Sequence, residues 1–328
     1  MKKFLASILL LSCLSVNGQD AVFTQFYASP MVLNPALTGT GLCGGRAVMQ
    51  YRNQWPSLGN NFRTFSFAYD QVAPSIGGAF GVHVMNDVAG DGLLATRAIN
   101  AVYNYAVPLG KQWNLYMALQ GSFIQRSIDF NKLQFADQID PKKGFVKPTT
   151  EYLPNERVQL PSFSSGFLIE GKGMYAGVAV FHMNEPNQSF YGNSGGGTYL
   201  PRRVNVHGGM QIRLGNPRSV HHRKDLVLSP GILVSVQEKF SQVNLGFQAK
   251  KNGLITGIWW RQTGANPDAF IAIVGYQGEN YKLGYSFDTT VSSARAAVKG
   301  SHEFSFAYQF CIKKPVKKNW LNEICPTF

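Results

Sequence analysis

The chain is poor in charge and, after its first residues, has no long hydrophobic run. Charged residues make up 15% of its 328 positions, whereas aromatic residues make up 13% and glycines number 34. This balance suits strands whose outer faces meet lipid better than it suits a protein with a fully solvated surface. No later stretch approaches the roughly 18 consecutive apolar residues of a transmembrane helix. An exported chain of this composition can therefore enter a bilayer only as a closed β-barrel, in which every backbone polar group is paired.

Signs of a second domain and of an enzyme are also lacking. No Pro/Ser-rich linker, charge run or change of composition divides the chain. The zinc-protease motif H-E-x-x-H is absent, and no spacing supports the triad that can be drawn from His182, Ser189 and Asp87. His221 and His222 are adjacent, so on a strand they point to opposite faces and favour a basic turn over a metal site. We therefore predict no catalytic residue, metal ion or cofactor.

What is present is strand periodicity. From about Ala47 to Phe310, segments of roughly ten residues alternate apolar and polar side chains, the length of a bilayer-spanning strand. One segment has Val243, Leu245, Phe247 and Ala249 on one face and Gln242, Asn244, Gly246 and Gln248 on the other. Phe304, Phe306, Tyr308 and Phe310 alternate in the same way with Glu303, Ser305, Ala307 and Gln309. The pattern predicts an all-β fold, a transmembrane antiparallel barrel of about 14 strands over residues 43–312.

The first 18 residues resemble a secretory signal peptide. Lys2 and Lys3 precede an apolar run, and small residues before Gln19 indicate a cleavage site. The mature chain is then expected to begin at Gln19 and to fold into the outer membrane. A lipoprotein signal with Cys13 as the acylated residue is the alternative.

The lengths of the connections predict the orientation. Short periplasmic turns are expected at Ala73–Ser75, Gly110–Lys111, Glu170–Lys172, Lys250–Gly253 and Gln277–Asn280, with a longer one at Asn216–Asp225. Long outer loops are expected at Ser127–Leu160, Asn184–Tyr199 and Thr289–Gly300, with a hairpin turn at Asp87–Gly92. Candidates for the interfacial aromatic girdles are Trp55, Tyr103, Tyr105, Trp113, Trp259, Trp260 and Tyr308.

The formal net charge is +13, and it is +11 once Lys2 and Lys3 leave with the signal. An exported barrel does not meet nucleic acid, so we predict no nucleic-acid partner. On the outer side, basic residues can meet lipopolysaccharide phosphates: Lys142, Lys143, Lys147, Arg202 and Arg203. His221–Lys224 and the tail over residues 313–328 form basic segments that are expected to face the periplasm, where a solvated rim explains them best.

Three cysteines remain after removal of the signal: Cys43, Cys311 and Cys325. The periplasm is oxidising, and an odd number leaves one thiol unpaired or joined to a partner. Cys43 opens the first strand and Cys311 closes the last, so barrel closure favours that pair. Their side-chain parity differs, which requires a bulge at Gly44-Gly45. A pairing of Cys325 with either residue is the alternative.

Several segments carry a family resemblance. The opening QDAVFTQFYASPMVLNPALTG and YRNQWP, within residues 19–56, is followed in order by VMNDVAGDG, SIDFNKLQFADQID, GIWWRQ, LGYSFDTTVS and GSHEFSFAYQF. These segments are similar to the PorP/SprF family of Bacteroidetes outer-membrane proteins, over essentially the whole mature chain. The resemblance implies a component of the type IX secretion system or of the gliding motility machinery in a Gram-negative bacterium. It also implies as partners periplasmic machine components and the C-terminal sorting domain of a secreted cargo, such as a large adhesin. A diffusion channel or substrate-specific porin is the alternative function.

The N-terminal segment, residues 19–42, does not alternate and contains Pro30 and Pro35, so we predict that it is not a wall strand. It is expected to dock in or under the lumen, as a binding element or as an ordered lead-in. The candidate plug or partner-binding residues are Gln25, Tyr27, Asn34, Pro35, Arg52, Gln54 and Trp55.

Overall fold

The structure is a computed structural model that describes residues 20–40, 44–59, 62–151, 155–192, 198–215, 226–264, 266–291 and 298–311. The predicted signal peptide, Cys43, Cys325, the basic segment His221–Lys224 and the C-terminal tail lie outside these residues. Among the described residues, no helix is both long and apolar enough to cross a membrane.

Seventeen β-strands follow one another along the described chain. Five long ones come first: β1 (Gly44–Gln54), β2 (Phe62–Ala73), β3 (Gly78–Ala89), β4 (Leu94–Leu109) and β5 (Trp113–Ile128). A two-stranded hairpin of β6 (Ile139–Asp140) and β7 (Gly144–Phe145) lies in the next connection. The wall continues with β8 (Arg157–Gly171), β9 (Met174–Phe181), β10 (Arg203–Met210), β11 (Ile212–Leu214), β12 (Leu226–Gln237), β13 (Phe240–Lys251), β14 (Leu254–Thr263), β15 (Asn266–Gln277), β16 (Tyr281–Thr290) and β17 (Ser301–Cys311).

The wall is a closed antiparallel barrel. Each wall strand pairs with its neighbours, and β1 pairs with β17 from Gly44 opposite Cys311 to Gln54 opposite Ser301. Both β10 and β11 pair with β12, so they form two parts of one interrupted strand and the barrel has 14 strands. The prediction of about 14 strands in a closed antiparallel barrel is confirmed.

The two mouths of the barrel differ. One mouth, the turn end, carries the connections after Ala73, Leu109, Gly171, Leu214, Lys251 and Gln277. The other, the loop end, carries those after Gln54, Ala89, Ile128, Phe181, Gln237, Thr263 and Thr290. The long connection predicted at Ser127–Leu160 is shorter, because β5 continues to Ile128 and β8 already begins at Arg157. Arg157 and Gln159 are exposed polar residues at the start of β8.

The strands have an apolar outer face and a largely polar lumenal face. On β13, Leu245 and Phe247 are exposed on the outside of the barrel, whereas Gln242, Asn244 and Gln248 are buried. Phe304 and Phe306 on β17 face outward in the same way, and Glu303 is buried. The alternation predicted for these strands is therefore confirmed.

The prediction that Trp259 belongs to an interfacial aromatic girdle is wrong. Trp259 is 5% exposed and points into the lumen, because the lumenal positions of β14 are Ile255, Gly257, Trp259 and Arg261. Its neighbour Trp260 lies on the opposite face, against Phe270. Tyr103, Tyr105 and Tyr308 are exposed, as an outward position requires.

The seam brings the backbone of Cys311 opposite Gly44, the residue that follows Cys43. The disulfide stays a prediction, because Cys43 and Cys325 lie outside the described residues. The boundaries at residues 18, 42 and 312 stay predictions for the same reason.

Candidate functional site

Residues 20–40, which we call the plug, lie inside the barrel. The plug consists of three short helical turns, Phe26–Ala28, Pro30–Leu33 and Pro35–Leu37. Pro30 and Pro35 each open a turn, where the missing N–H costs nothing. Asn34 caps the third turn, since its Oδ1 accepts a hydrogen bond of 2.9 Å from the Ala36 N–H. The sequence thus makes compact turns that fit within a lumen rather than a strand that joins its wall.

The plug runs through the barrel from the loop end to the turn end. At the loop end the Asp20 N–H donates to Gln237, the last residue of β12. The carboxylate of Asp20 lies 3.3 Å from the guanidinium group of Arg203, the first residue of β10. At the opposite end the Gly39 N–H donates to Asp70, three residues before the end of β2.

The carboxylate of Glu303 fixes the upper part of the plug, which is the part nearer the loop end. Its two oxygens accept the backbone N–H groups of Thr24 at 2.7 Å and Gln25 at 2.9 Å. The Gln25 side chain donates to the carbonyl of Glu303, and its Oε1 accepts from Ser305 at 2.7 Å. Because Glu303 is 1% exposed, these bonds form away from water, where hydrogen bonds to a charged acceptor are strong.

Two arginines and two aspartates compensate one another beside this anchor. Arg261 lies 2.9 Å from Asp288 and 2.6 Å from Asp268, and Arg52 lies 3.5 Å from Asp288. The Thr24 hydroxyl donates to Asp288 at 2.7 Å, and Arg52 also donates to the carbonyl of Val22. The plug therefore completes a charged network that would otherwise lack two of its partners.

Asn34 holds the middle of the plug against the opposite wall. Its Nδ2 donates to the carbonyls of Phe167 at 3.0 Å and Val178 at 3.3 Å, and lies 3.0 Å from His207. Two glycines make room for it. A Cβ at Gly166 would lie 2.0 Å from Asn34 Oδ1, and one at Gly177 would lie 2.8 Å from Asn34 Nδ2.

The lower part of the plug is held by another buried ion pair. Arg46 binds Asp70 through two hydrogen bonds of 3.0 and 2.8 Å and also donates to the carbonyl of Leu37. Two strands further along the wall, the Asn104 side chain on β4 donates to the carbonyls of Ala36 and Thr38. Polar lumenal residues thus satisfy the carbonyl groups of the plug, which has no strand partner of its own.

An apolar cluster completes the packing of the plug. Phe26 and Tyr27 contact the ring of Trp259 at centroid distances of 5.0 and 6.1 Å. Met31 and Leu33 are also buried in this cluster, together with small and aliphatic lumenal residues of several strands. The inward orientation of Trp259 therefore serves to bind the plug.

Above the plug, a cavity of about 560 Å³ lies on the side of the loop end. Its lining includes Asp20, Val32, Trp55 and Arg126. Trp55 follows β1 with a left-handed φ of 53° and packs edge-on against Phe62. The cavity lies in the mouth of a barrel, a common place for a ligand site.

The long connection between β5 and β8 forms its own small structure at the loop end. Its β6–β7 hairpin is followed by Thr149 and Thr150, both of which donate to the carboxylate of Asp137. The backbone hydrogen bond from Thr150, helped by the two hydroxyls, lowers the pKa of Asp137. These bonds give the exposed loop a fixed conformation.

The predicted site residues fall into two places. Gln25, Tyr27, Asn34 and Pro35 are buried on the plug, whereas Arg52, Gln54 and Trp55 lie on or just after β1 and line the cavity. Sequence reasoning missed the residues that receive the plug: Arg46, Asp70, Asn104, His207, Arg261, Asp288 and Glu303. The sequence feature that could have identified them is a charged or amide residue on the polar face of a spanning strand, where an ionisable group needs a partner.

The triad drawn from His182, Ser189 and Asp87 does not assemble. His182 instead lies 2.9 Å from Ser162 and 2.9 Å from Asp20. Ser162 is 0% exposed, so its hydroxyl is closed to substrate. No group of three metal-ligating side chains occurs within the described ranges.

Membership of a family is decided by a match over most of the chain. The sequence profile described as "Type IX secretion system membrane protein PorP/SprF" matches residues 15–308. The chain belongs to this family. Its PorP/SprF membership, together with the barrel, makes it an integral outer-membrane component of type IX secretion. No curated protein matches the chain.

Several solved structures share the barrel architecture at low sequence identity. A KdgM porin shares 8% identity at a TM-score of 0.35, covering 81% of this chain and 99% of its own. The CymD monoaromatic hydrocarbon channel shares 9% identity at a TM-score of 0.47, covering 90% and 96%. A FadL homologue from Pseudomonas aeruginosa shares 11% identity at a TM-score of 0.40, covering 81% and 90%.

Proposed function

We propose that this PorP/SprF protein binds a secreted cargo and supports its display on the cell surface. The cargo is a protein with a C-terminal sorting domain, such as a large adhesin of the gliding machinery, and the turn end contacts periplasmic components of the secretion system. The family membership supports the secretion role.

The observation that carries this proposal is the occupied lumen. Asn34 and Thr38 of the plug are 0% exposed, and Gln25 is 1% exposed. The plug contacts β17 on one side of the barrel and β8, β9 and β10 on the other. A barrel filled by its own N-terminal segment suits a protein-binding role better than the alternative role of a diffusion channel.

The proposal places the loop end outside the cell and the turn end in the periplasm. Lys143 lies in the long loop and Lys111 in the turn between β4 and β5, and both are exposed. We expect Lys143→Cys to react with an impermeant maleimide on intact cells and Lys111→Cys to react only after the outer membrane is opened. The parent chain sets the background from its own cysteines. If only Lys111→Cys is labelled on intact cells, the barrel has the opposite orientation to the one proposed.

Cargo display tests the function itself. In cells that lack the gene, we expect one or a few large secreted proteins to remain within the cell envelope while nutrient uptake continues. Removal of residues 23–39 is expected to lower display to the level of the gene deletion, and Arg52→Ala and Trp55→Ala to lower it in part, because these residues form the plug and the cavity rim.

The matched control is Arg63→Ala, which removes an exposed arginine of β2 outside the lumen. Surface cargo is measured by immunofluorescence on intact cells, and barrel insertion by the heat-dependent gel mobility of the extracted protein. Normal display by variants that insert normally would exclude the plug and the rim from cargo binding.

A further inference from the structure

The cavity at the loop end has an apolar side and a charged side. On the apolar side, Ala98, Ile124 and Leu200 belong to one buried cluster, against which Met85 packs. Met31 and Val32 of the plug also line the cavity. Its volume of about 560 Å³ is within the range of small-molecule sites, about 300 to 1,000 Å³.

The charged side is a row of residues at one level of the barrel. The strand registers place Arg52 opposite Thr64, Thr64 opposite Asp87, Asp87 opposite Thr96, and Thr96 opposite Arg126. All five line the cavity. Since neighbouring strands lie about 4.8 Å apart, the backbones of Asp87 and Arg126 are about 10 Å apart across β4.

Most charges around the cavity are already compensated. Arg52 pairs with Asp288, Arg203 with Asp20, and Arg261 with Asp268 and Asp288. Asp87 and Arg126 differ: among the residues that the structure describes, neither is in direct contact with an oppositely charged side chain, and each feels the charge of the other only at longer range.

Their contacts are with neutral groups. Asp87 accepts a hydrogen bond of 2.6 Å from the Thr64 hydroxyl. Arg126 donates to the Thr96 hydroxyl at 3.4 Å and to the Gln188 side chain. One carboxylate and one guanidinium therefore border the cavity with charge that a ligand can neutralise.

We propose that the cavity binds a short apolar peptide with free termini. Arg126 takes the terminal carboxylate, Asp87 takes the terminal ammonium, and the apolar cluster takes the side chains. An extended tripeptide spans about 10 Å, close to the separation of the two backbones that carry Asp87 and Arg126. The same cavity borders the rim residues Arg52 and Trp55 of the proposed cargo role. Peptide binding is measured on the isolated protein, so its failure is distinguishable from a failure of cargo display.

Trp55 provides the measurement, since its side chain lines the cavity. The full-length protein in detergent is titrated with the tripeptide Leu-Ala-Leu, and tryptophan fluorescence is recorded. We expect a saturable change that Trp55→Phe removes. N-acetylated and C-amidated forms of the tripeptide are expected to bind about tenfold to a hundredfold more weakly, since each has lost one charge-assisted contact.

Two variants assign the ends of the ligand. Arg126→Gln should weaken the free tripeptide but leave the C-amidated form unchanged, and Asp87→Asn should weaken the free tripeptide but leave the N-acetylated form unchanged. Arg157→Gln and Asp91→Asn make the same charge changes at exposed positions and are expected to have no effect.

Dodecanoate separates the proposed ligand from an ordinary fatty acid. Binding of dodecanoate as tight as that of the tripeptide, with no response to Asp87→Asn, would overturn the assignment to a peptide. Equal binding of the free, acetylated and amidated tripeptides would overturn it as well, and so would the absence of any saturable signal from a protein whose barrel is intact.

Discussion

Removal of residues 23–39 is expected to convert a closed barrel into a conducting channel. The plug fills the lumen and satisfies buried polar side chains of the wall, among them Asn104, Glu303 and Asp288. Without it these side chains would face a polar space that water enters readily. In planar bilayers the full-length protein should pass little current, whereas the shortened protein should show steady open-channel current.

The control for this experiment is barrel integrity. The wall hydrogen bonds do not involve the plug, and β1 and β17 pair along their whole lengths. Far-ultraviolet circular dichroism and heat-dependent gel mobility should therefore match those of the full-length protein. Steady current through the full-length protein would instead support the diffusion-channel alternative, and a silent but intact shortened barrel would show that the plug does not close the pore.

Replacement of Glu303 by alanine is expected to release the upper plug. The change removes the acceptor of two buried N–H groups, those of Thr24 and Gln25. Hydrogen bonds to a charged group contribute about 1.5 to 3 kcal/mol each, so docking of this part should weaken by about 3 kcal/mol or more. Hydrogen exchange in plug peptides, followed by mass spectrometry, should accelerate by about a hundredfold.

Two further variants show whether the carboxylate of Glu303 is responsible. Glu303→Gln keeps one acceptor oxygen and should give an intermediate rate, because the remaining bond is no longer to a charge. Glu156→Ala removes an exposed glutamate at the loop end and should leave exchange in the plug unchanged. Parental protection of Thr24 and Gln25 in Glu303→Ala would show that the other contacts of the plug hold it without this carboxylate.

The wall could be predicted from sequence because its signal is local. Alternation over roughly ten residues identifies both a spanning strand and its lipid-facing side, as for Leu245 and Phe247. The two prolines likewise excluded residues 19–42 from the wall. These features follow from neighbouring residues and need no knowledge of distant contacts.

The path of the plug could not be predicted, because its partners are far away in sequence. Thr24 and Glu303 are 279 positions apart, and nothing local connects them. The adjacent Trp259 and Trp260 illustrate a second limit. On a strand, one of the two must point inward. Trp259 does so because it shares the lumenal face of β14 with Arg261, which pairs with Asp288.

The position of Glu303 on β17 determines the order in which this protein can fold. Thr24 and Gln25 lie near the start of the plug, yet their main acceptor belongs to β17. The same strand closes the cylinder against β1. Contacts of such high sequence separation form slowly, since the entropy of closing a long loop must be lost first. Docking of Thr24 and Gln25 on Glu303 therefore waits for β17, so the two ends of the folded chain meet late in assembly.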